Sequence, residues 1–191
     1  MDPFVVDSNF FIQAHRATYP LDIAVSFWRK ITQLALEGKI ISIDKVKNEI
    51  YQNDDELRKW CIANLPNVFF KDTSRVISEY TQVVNWAVSR RSHFQQKALD
   101  EFLDVDEADA WLISYSIANH NTIITQEILQ PEKKNKIKIP DACIALNVKY
   151  GMVKKKLNAR TPNIDATIPY IYPCVILDIS NIDKIYTIIT F

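Results

Sequence analysis

Phe4-Val5-Val6-Asp7-Ser8-Asn9-Phe10-Phe11 is the stretch on which the fold turns. A short apolar run ends at an aspartate, and a helical pattern starts at the next residue. A run this short, apolar throughout and closed by polar residues, reads as a strand buried on both faces. The pattern recurs. Ile40-Ile41-Ser42-Ile43 is followed by Asp44, and Thr122-Ile123-Ile124-Thr125 is followed by Gln126-Glu127.

Helical segments separate these runs. Pro20 introduces a helix with Ile23, Phe27, Ile31, Leu34 and Ala35 on one face, and Gly38 stands where a C-terminal capping glycine belongs. Asp44 is placed to cap the helix that carries Val46, Glu49 and Ile50. Residues 54–64 read as a helix with Leu57 and Cys61 four apart. Val68-Phe69-Phe70 reads as a strand. Helices follow near 74–89 and 92–102, and from about Glu107 through Trp111, Leu112, Tyr115 and Ala118. Ile137-Lys138-Ile139 reads as a strand ended by Pro140, with a short helix from Asp141. Strands alternating with helices predict an α/β fold, three layers (α/β/α) around a mainly parallel sheet. After about Tyr150 the character changes. Residues 1–150 are taken as the domain and 151–191 as a C-terminal extension of unknown role, with strands near Cys174–Leu177 and Ile185–Ile189.

The bulk numbers narrow the chemistry. The chain has 191 residues, 48% of them hydrophobic, enough for a core without staples. Lys plus Arg and Asp plus Glu both number 23, so a nucleic-acid partner would have to meet a local basic patch. Lys133, Lys134, Lys136 and Lys138 form one basic run and Lys154 to Lys156 another, each of which alone reads as a solvated loop. The only glycines are Gly38 and Gly151, which excludes the glycine-rich dinucleotide fingerprint and the phosphate-binding P-loop. His15, His93 and His120 have no zinc spacing. Cys61, Cys143 and Cys174 form no Cys-x-x-Cys pair, and an odd number of cysteines suits a reducing compartment. No apolar stretch is long enough for a membrane span and no signal peptide is evident, so a cytoplasmic protein is expected.

In a parallel α/β sheet, ligands bind beyond the carboxyl ends of the strands. The acids so placed are Asp7, Asp44 and Glu127, the last with Thr125. Asp109 falls in the first turn of its helix, and Glu49 lies beside Val46 and Ile50. Carboxylates gathered at one sheet edge repel one another, an arrangement tolerated mostly where a cation neutralises them. Hard divalent ions take oxygen ligands. Taken singly, Asp7 reads equally well as a helix cap, and Asp109 as a partner of a helix N-terminus.

Together the motifs carry a resemblance. Val5-Val6-Asp7-Ser8-Asn9-Phe10-Phe11 resembles the opening strand of PIN domains. Ile43-Asp44-Lys45-Val46-Lys47-Asn48-Glu49-Ile50 is similar to that family's second motif. Asp106-Glu107-Ala108-Asp109-Ala110-Trp111-Leu112-Ile113-Ser114-Tyr115-Ser116 is similar to the third, and Thr122-Ile123-Ile124-Thr125-Gln126-Glu127 to the fourth. Lys138-Ile139-Pro140-Asp141-Ala142-Cys143 looks like a feature of a prokaryotic branch that includes VapC-type toxins. The resemblance runs from about Phe4 to Tyr150. It implies a metal-dependent endoribonuclease, the toxin of a toxin–antitoxin pair, with RNA as substrate, a cognate antitoxin as partner and a homodimer as an expected assembly. Asp7, Glu49 and Asp109 would hold Mg²⁺ or Mn²⁺, Glu127 would complete the catalytic acids, and Ser8, Asn9, Thr125 and Asp141 would support them. Two points depart from the pattern: Glu127 stands where Asp is common, with Asp141 competing for its role, and nothing in the family matches the segment after Tyr150. The alternatives are a catalytically silent RNA- or protein-binding module of the same fold, and a phosphoacceptor receiver domain built on Asp7, Asp44, Thr125 and Lys138.

Overall fold

The computed structural model describes residues 2–153, 175–177 and 186–187. The expected loop from Arg160, Cys174 and the Lys154–Lys156 run lie outside the described residues.

Strand β1 (Phe4–Val6) lies at the centre, with Val5 and Val6 fully buried. Burying side chains of that size stabilises by roughly 1.5–3 kcal/mol each. Strands β2 (Ile40–Ile43) and β4 (Thr122–Thr125) flank it, and β3 (Phe70–Lys71) lies outside β2. Strands β5 (Tyr150–Val153), β6 (Val175–Leu177) and β7 (Tyr186–Thr187) complete the order β3-β2-β1-β4-β5-β6-β7. Among the described residues every pairing is parallel except β6 with β7, which makes this an α/β fold on a mainly parallel sheet. Strand β5 spans the boundary expected at residue 150.

The crossovers run one way and then the other. Helices α1 (Ser8–Gln13), extended by a π-helical turn at Ala14–Thr18, and α2 (Val25–Leu36) connect β1 to β2. Helices α3 (Asp44–Tyr51) and α4 (Glu56–Asn64) connect β2 to β3. The chain then returns across β1 through α5 (Ile77–Ser89), α6 (Gln96–Phe102) and α7 (Ala108–Asn119) to β4, and α8 (Ile139–Ala145) leads to β5. Right-handed crossovers in opposite directions put helices on both faces of the sheet. The reversal falls between β1 and β4, and the carboxyl ends of strands at such a switch point open a crevice. A receiver-type sheet has the order 2-1-3-4-5, and this one does not. Nor is it a dinucleotide site despite sharing the inner strand order of one, because the turn after β1 reads Asp7-Ser8-Asn9 with no glycine.

Helix α7 is buried nearly all round: Ala108, Ala110, Trp111, Leu112, Ile113, Ser114 and Ser116 are all inside. Its two buried serines bond the carbonyls of Ala110 and Leu112 at 2.6 and 2.9 Å, so no hydroxyl is orphaned. Tyr80 of α5 stacks on Trp111 at 4.0 Å between centroids. Gly38, just past α2, adopts φ 65, the left-handed conformation that ends helices and that glycine takes without strain. Among the described residues, no helix is long and apolar enough to cross a membrane.

Four local expectations are corrected. Ile23 precedes α2 and is 79% exposed, because the helix begins only at Val25; Phe27, Ile31, Leu34 and Ala35 do form its buried face. Asp44 does not cap α3. It is the first residue of that helix, and its carboxylate accepts from Thr73 Oγ1 at 2.8 Å, tying α3 to the loop after β3. Val68 is exposed, and the strand there begins at Phe70. Ile137-Lys138-Ile139 is not a strand. Ile139 and Pro140 open α8, where a proline fits because the first turn leaves its amides unbonded in any case.

Candidate active site at the switch point

The register of the sheet builds the site. Val6 pairs with Ile124, so the next residues, Asp7 and Thr125, leave their strands side by side at the carboxyl edge. Asp7 is 1% exposed. Its Oδ2 accepts from Thr125 Oγ1 at 2.7 Å, and its Oδ1 accepts from the Asn9 amide at 3.0 Å. Asp7 therefore also caps α1, as the plainer reading of the sequence has it. The Ser8 hydroxyl donates to Asp7 Oδ1 at 3.2 Å and lies near enough to Glu49 to favour its ionised form. Its single proton serves one of them at a time.

Glu49 reaches across from α3. Its Oε1 accepts from the Ala108 amide at 2.9 Å, the first residue of α7. The open N-terminus of α7 is thus met by Glu49, and Asp109 is not needed there. The Asp109 carboxylate makes no hydrogen bond among the described residues, although the residue is half-buried and lines a depression with Ala98, Glu101, Phe102, Glu107, Lys136 and Ile137.

Electrostatics follow from this crowding. Burial holds the Asp109 carboxyl well above the usual carboxylate range, reinforced by the negative charges of Asp7, Glu127 and Glu49 and opposed by Lys136. Burial also raises Asp7 and Glu49, against the bonds that favour their ionised forms. Burial works to lower Lys136, but the charges of Asp109, Glu127 and Glu101 outweigh it and the ammonium is held more firmly. The four acids named from the sequence therefore share one electrostatic field.

They do not play one role. Glu127 is 7% exposed and its carboxylate is fully engaged: Lys138 Nζ donates to Oε1, and the Ile139 amide donates to Oε2 at 2.9 Å. Thr125 Oγ1 also accepts from the Glu127 amide at 3.0 Å. Asp141, in the first turn of α8, accepts from the Gln130 amide at 3.2 Å, while its buried Oδ1 has no partner within the described residues, and neither does the buried Nε2 of His93. Asn9 contributes its backbone amide to Asp7. Asp44 stays apart, bound to Thr73.

The donor chemistry fits a hard cation: several carboxylates, one of them without a hydrogen-bond donor, and no imidazole or thiolate among the lining residues. As the side chains stand, no three Asp, Glu, His or Cys among the described residues form a group arranged to hold a metal ion. Mg²⁺ characteristically keeps several waters and takes only one or two carboxylates directly, so a complete protein cage is not what such an ion requires. Among the described residues, Cys61 and Cys143 play no part. Burial pushes the Cys61 thiol up to about 12 and raises Cys143 further, leaving both as inert thiols.

Sequence reasoning missed Lys136 and Glu101 as parts of this site and placed Lys138 there only in the receiver-domain alternative. The signal was the alternation Lys136-Ile137-Lys138-Ile139, which buries both isoleucines and turns both lysines toward the acids.

The family model described as "Domain of unknown function (DUF4411)" matches residues 4–161. The chain belongs to that family. The DUF4411 match begins in β1 and passes beyond β5, so it takes in every residue of the acidic crevice. A solved structure of VapBC2 from Rickettsia felis, bound to a DNA fragment from their promoter, is similar at 13% identity with a TM-score of 0.45, over 78% of this chain and 97% of that one. The DUF4411 chain matches no curated protein.

Proposed function

We propose that this DUF4411 chain is a metal-dependent endoribonuclease of the PIN type, acting as the toxin of a toxin–antitoxin pair. The observation that carries the reading is Asp109, a half-buried carboxylate without a hydrogen-bond donor among the described residues, set in the field of Asp7, Glu49 and Glu127 at the switch point. A carboxylate so placed is costly to ionise unless a cation joins it. Asp109, with Asp7 and Glu49, would hold Mg²⁺ or Mn²⁺. The chemistry such an ion supplies is activation of a water for attack on a phosphodiester. The chain's own part is positional. Thr125 and the Asn9 amide fix Asp7, the Ala108 amide fixes Glu49, and the pair of Lys138 with Glu127 anchors the start of α8 beneath the crevice. Lys136 at the rim places a positive charge where a scissile phosphate would lie.

The antitoxin partner rests on the motif resemblance alone. Induced expression tests the whole reading: the wild type should arrest growth and Asp7→Asn should not. Equal growth of both strains, with both proteins soluble, would refute it.

A further inference from the structure

The long connection from β4 to α8 does not hang freely. The Gln95 amide donates to the Lys134 carbonyl at 2.8 Å, which pins the 131–136 segment against the turn that joins α5 to α6. That turn carries Arg90 and Arg91, both exposed. The pinned segment carries Lys133, half-exposed, and Lys134, exposed. Two loops about 40 residues apart in sequence are joined at this bond and between them carry four cations, the makings of a basic ridge. Among the described residues none of the four has a carboxylate partner, whereas the neighbouring lysines do: Lys136 pairs with Glu101 at 3.4 Å and Lys138 with Glu127.

Four cations without carboxylate partners on two joined loops set up a local positive field, which a polyanion would meet favourably. The ridge also has a direction. Two residues beyond Lys134 the chain reaches Lys136, which lines the depression beside Asp109. A strand laid along the ridge would therefore lead a phosphate toward the acids. A neutral protein has no global attraction for nucleic acid, so the local patch must supply it.

We propose that Arg90, Arg91, Lys133 and Lys134 form a docking ridge for the sugar–phosphate backbone of a nucleic acid, read without regard to base sequence. That the nucleic acid is RNA rests on the nuclease reading; the ridge itself does not. The contacts are to phosphate, so they set affinity and position while specificity lies elsewhere.

The test is fluorescence anisotropy of the full chain with a labelled single-stranded RNA and the matching DNA, in chelator so that nothing is cleaved. R90E/R91E and K133E/K134E should each weaken binding about tenfold at low salt, uniformly across unrelated sequences. Each should also lower the slope of log affinity against log salt by about 1.4, at about 0.7 per lost phosphate contact. Lys59→Glu on α4 serves as the control for a bare change of charge and should bind as wild type does. Unchanged binding by both double variants, or no binding by the wild type, would overturn the ridge. So would equal displacement of RNA by polyglutamate, which would point to an acidic protein instead. The outcome separates from that of the nuclease reading: wild-type binding that the charge reversals weaken, in a protein that never cleaves, would sink the enzyme and keep the ridge, and wild-type cleavage with binding indifferent to the reversals would do the opposite.

Discussion

Thr125 Oγ1 donates to Asp7 Oδ2 at 2.7 Å, joining residues 118 positions apart at the ends of neighbouring strands. The same oxygen accepts from the Glu127 amide. One hydroxyl thus fixes the direction of Asp7 and the path of the chain leaving β4. Thr125→Val keeps the shape and removes both bonds, leaving a buried carboxylate short of a donor. It should lower stability by about 2–3 kcal/mol and reduce nuclease activity, while Thr125→Ser should retain most of both. Urea unfolding of the three proteins measures the first effect. A valine variant as stable as wild type would show that the bond carries no weight.

Catalysis should depend on Asp7, Glu49 and Asp109 as a unit. Asp7→Asn, Glu49→Gln and Asp109→Asn should each remove most activity, and a double variant should lose little more than a single one. Additive losses, measured as kcat/KM on an RNA substrate, would show that the acids act independently.

The residues that set this site differ in how far the sequence shows them. Asp7, Thr125 and Glu127 could be found because each follows a short apolar run, and burial of β1 and β4 on both faces leaves no other place for those runs. Glu49 and Asp109 needed the motif resemblance, since nothing local tells a site acid from any other acid on a helix. Their division of labour was not legible. It depends on Glu49 reaching the Ala108 amide across 59 positions, a contact that no window of sequence contains. Strand β5 was missed because Tyr150-Gly151-Met152-Val153 is short and contains a residue that weakens strands; it pairs because β4 presents an open edge beside it. Ile137-Lys138-Ile139 misled in the other direction. Its alternation is real, but it reflects one side facing the core and the other facing Glu127, without any strand to pair with.

Glu127 should behave as a structural acid more than as a ligand. Lys138→Met leaves its buried carboxylate unpaired among other acids and should cost about 3 kcal/mol. Glu127→Gln in the same chain should recover a good part of that loss, because it removes the uncompensated charge. A melting series of the two single variants and the double checks this. If Lys138→Met melts with wild type, the pair is not holding α8.

The apo protein should gain from losing a charge at position 109. Burial and three neighbouring carboxylates raise the folded pKa of Asp109 above its unfolded value. Below the unfolded value both states are protonated and the group costs nothing. As pH rises from the unfolded value through the folded one, folding is opposed increasingly, and above the folded value the cost is complete. In chelator at neutral pH, Asp109→Asn should therefore melt higher than wild type, by about 0.5–2 kcal/mol of stability, and the gain should vanish in acid. Mg²⁺ should stabilise wild type by mass action and the variant less. A variant that melts lower in chelator, with neither protein responding to Mg²⁺, would mark Asp109 as an ordinary helix-start residue.

Cleavage of a labelled single-stranded RNA by purified wild type and Asp109→Asn, each with Mg²⁺ and with chelator, bears most directly on the proposal. Cut RNA should appear in one lane only, wild type with Mg²⁺, with Mn²⁺ able to replace it and Zn²⁺ serving poorly for want of His or Cys ligands. Cleavage by Asp109→Asn at the wild-type rate, or cleavage by wild type that persists in chelator, would contradict it.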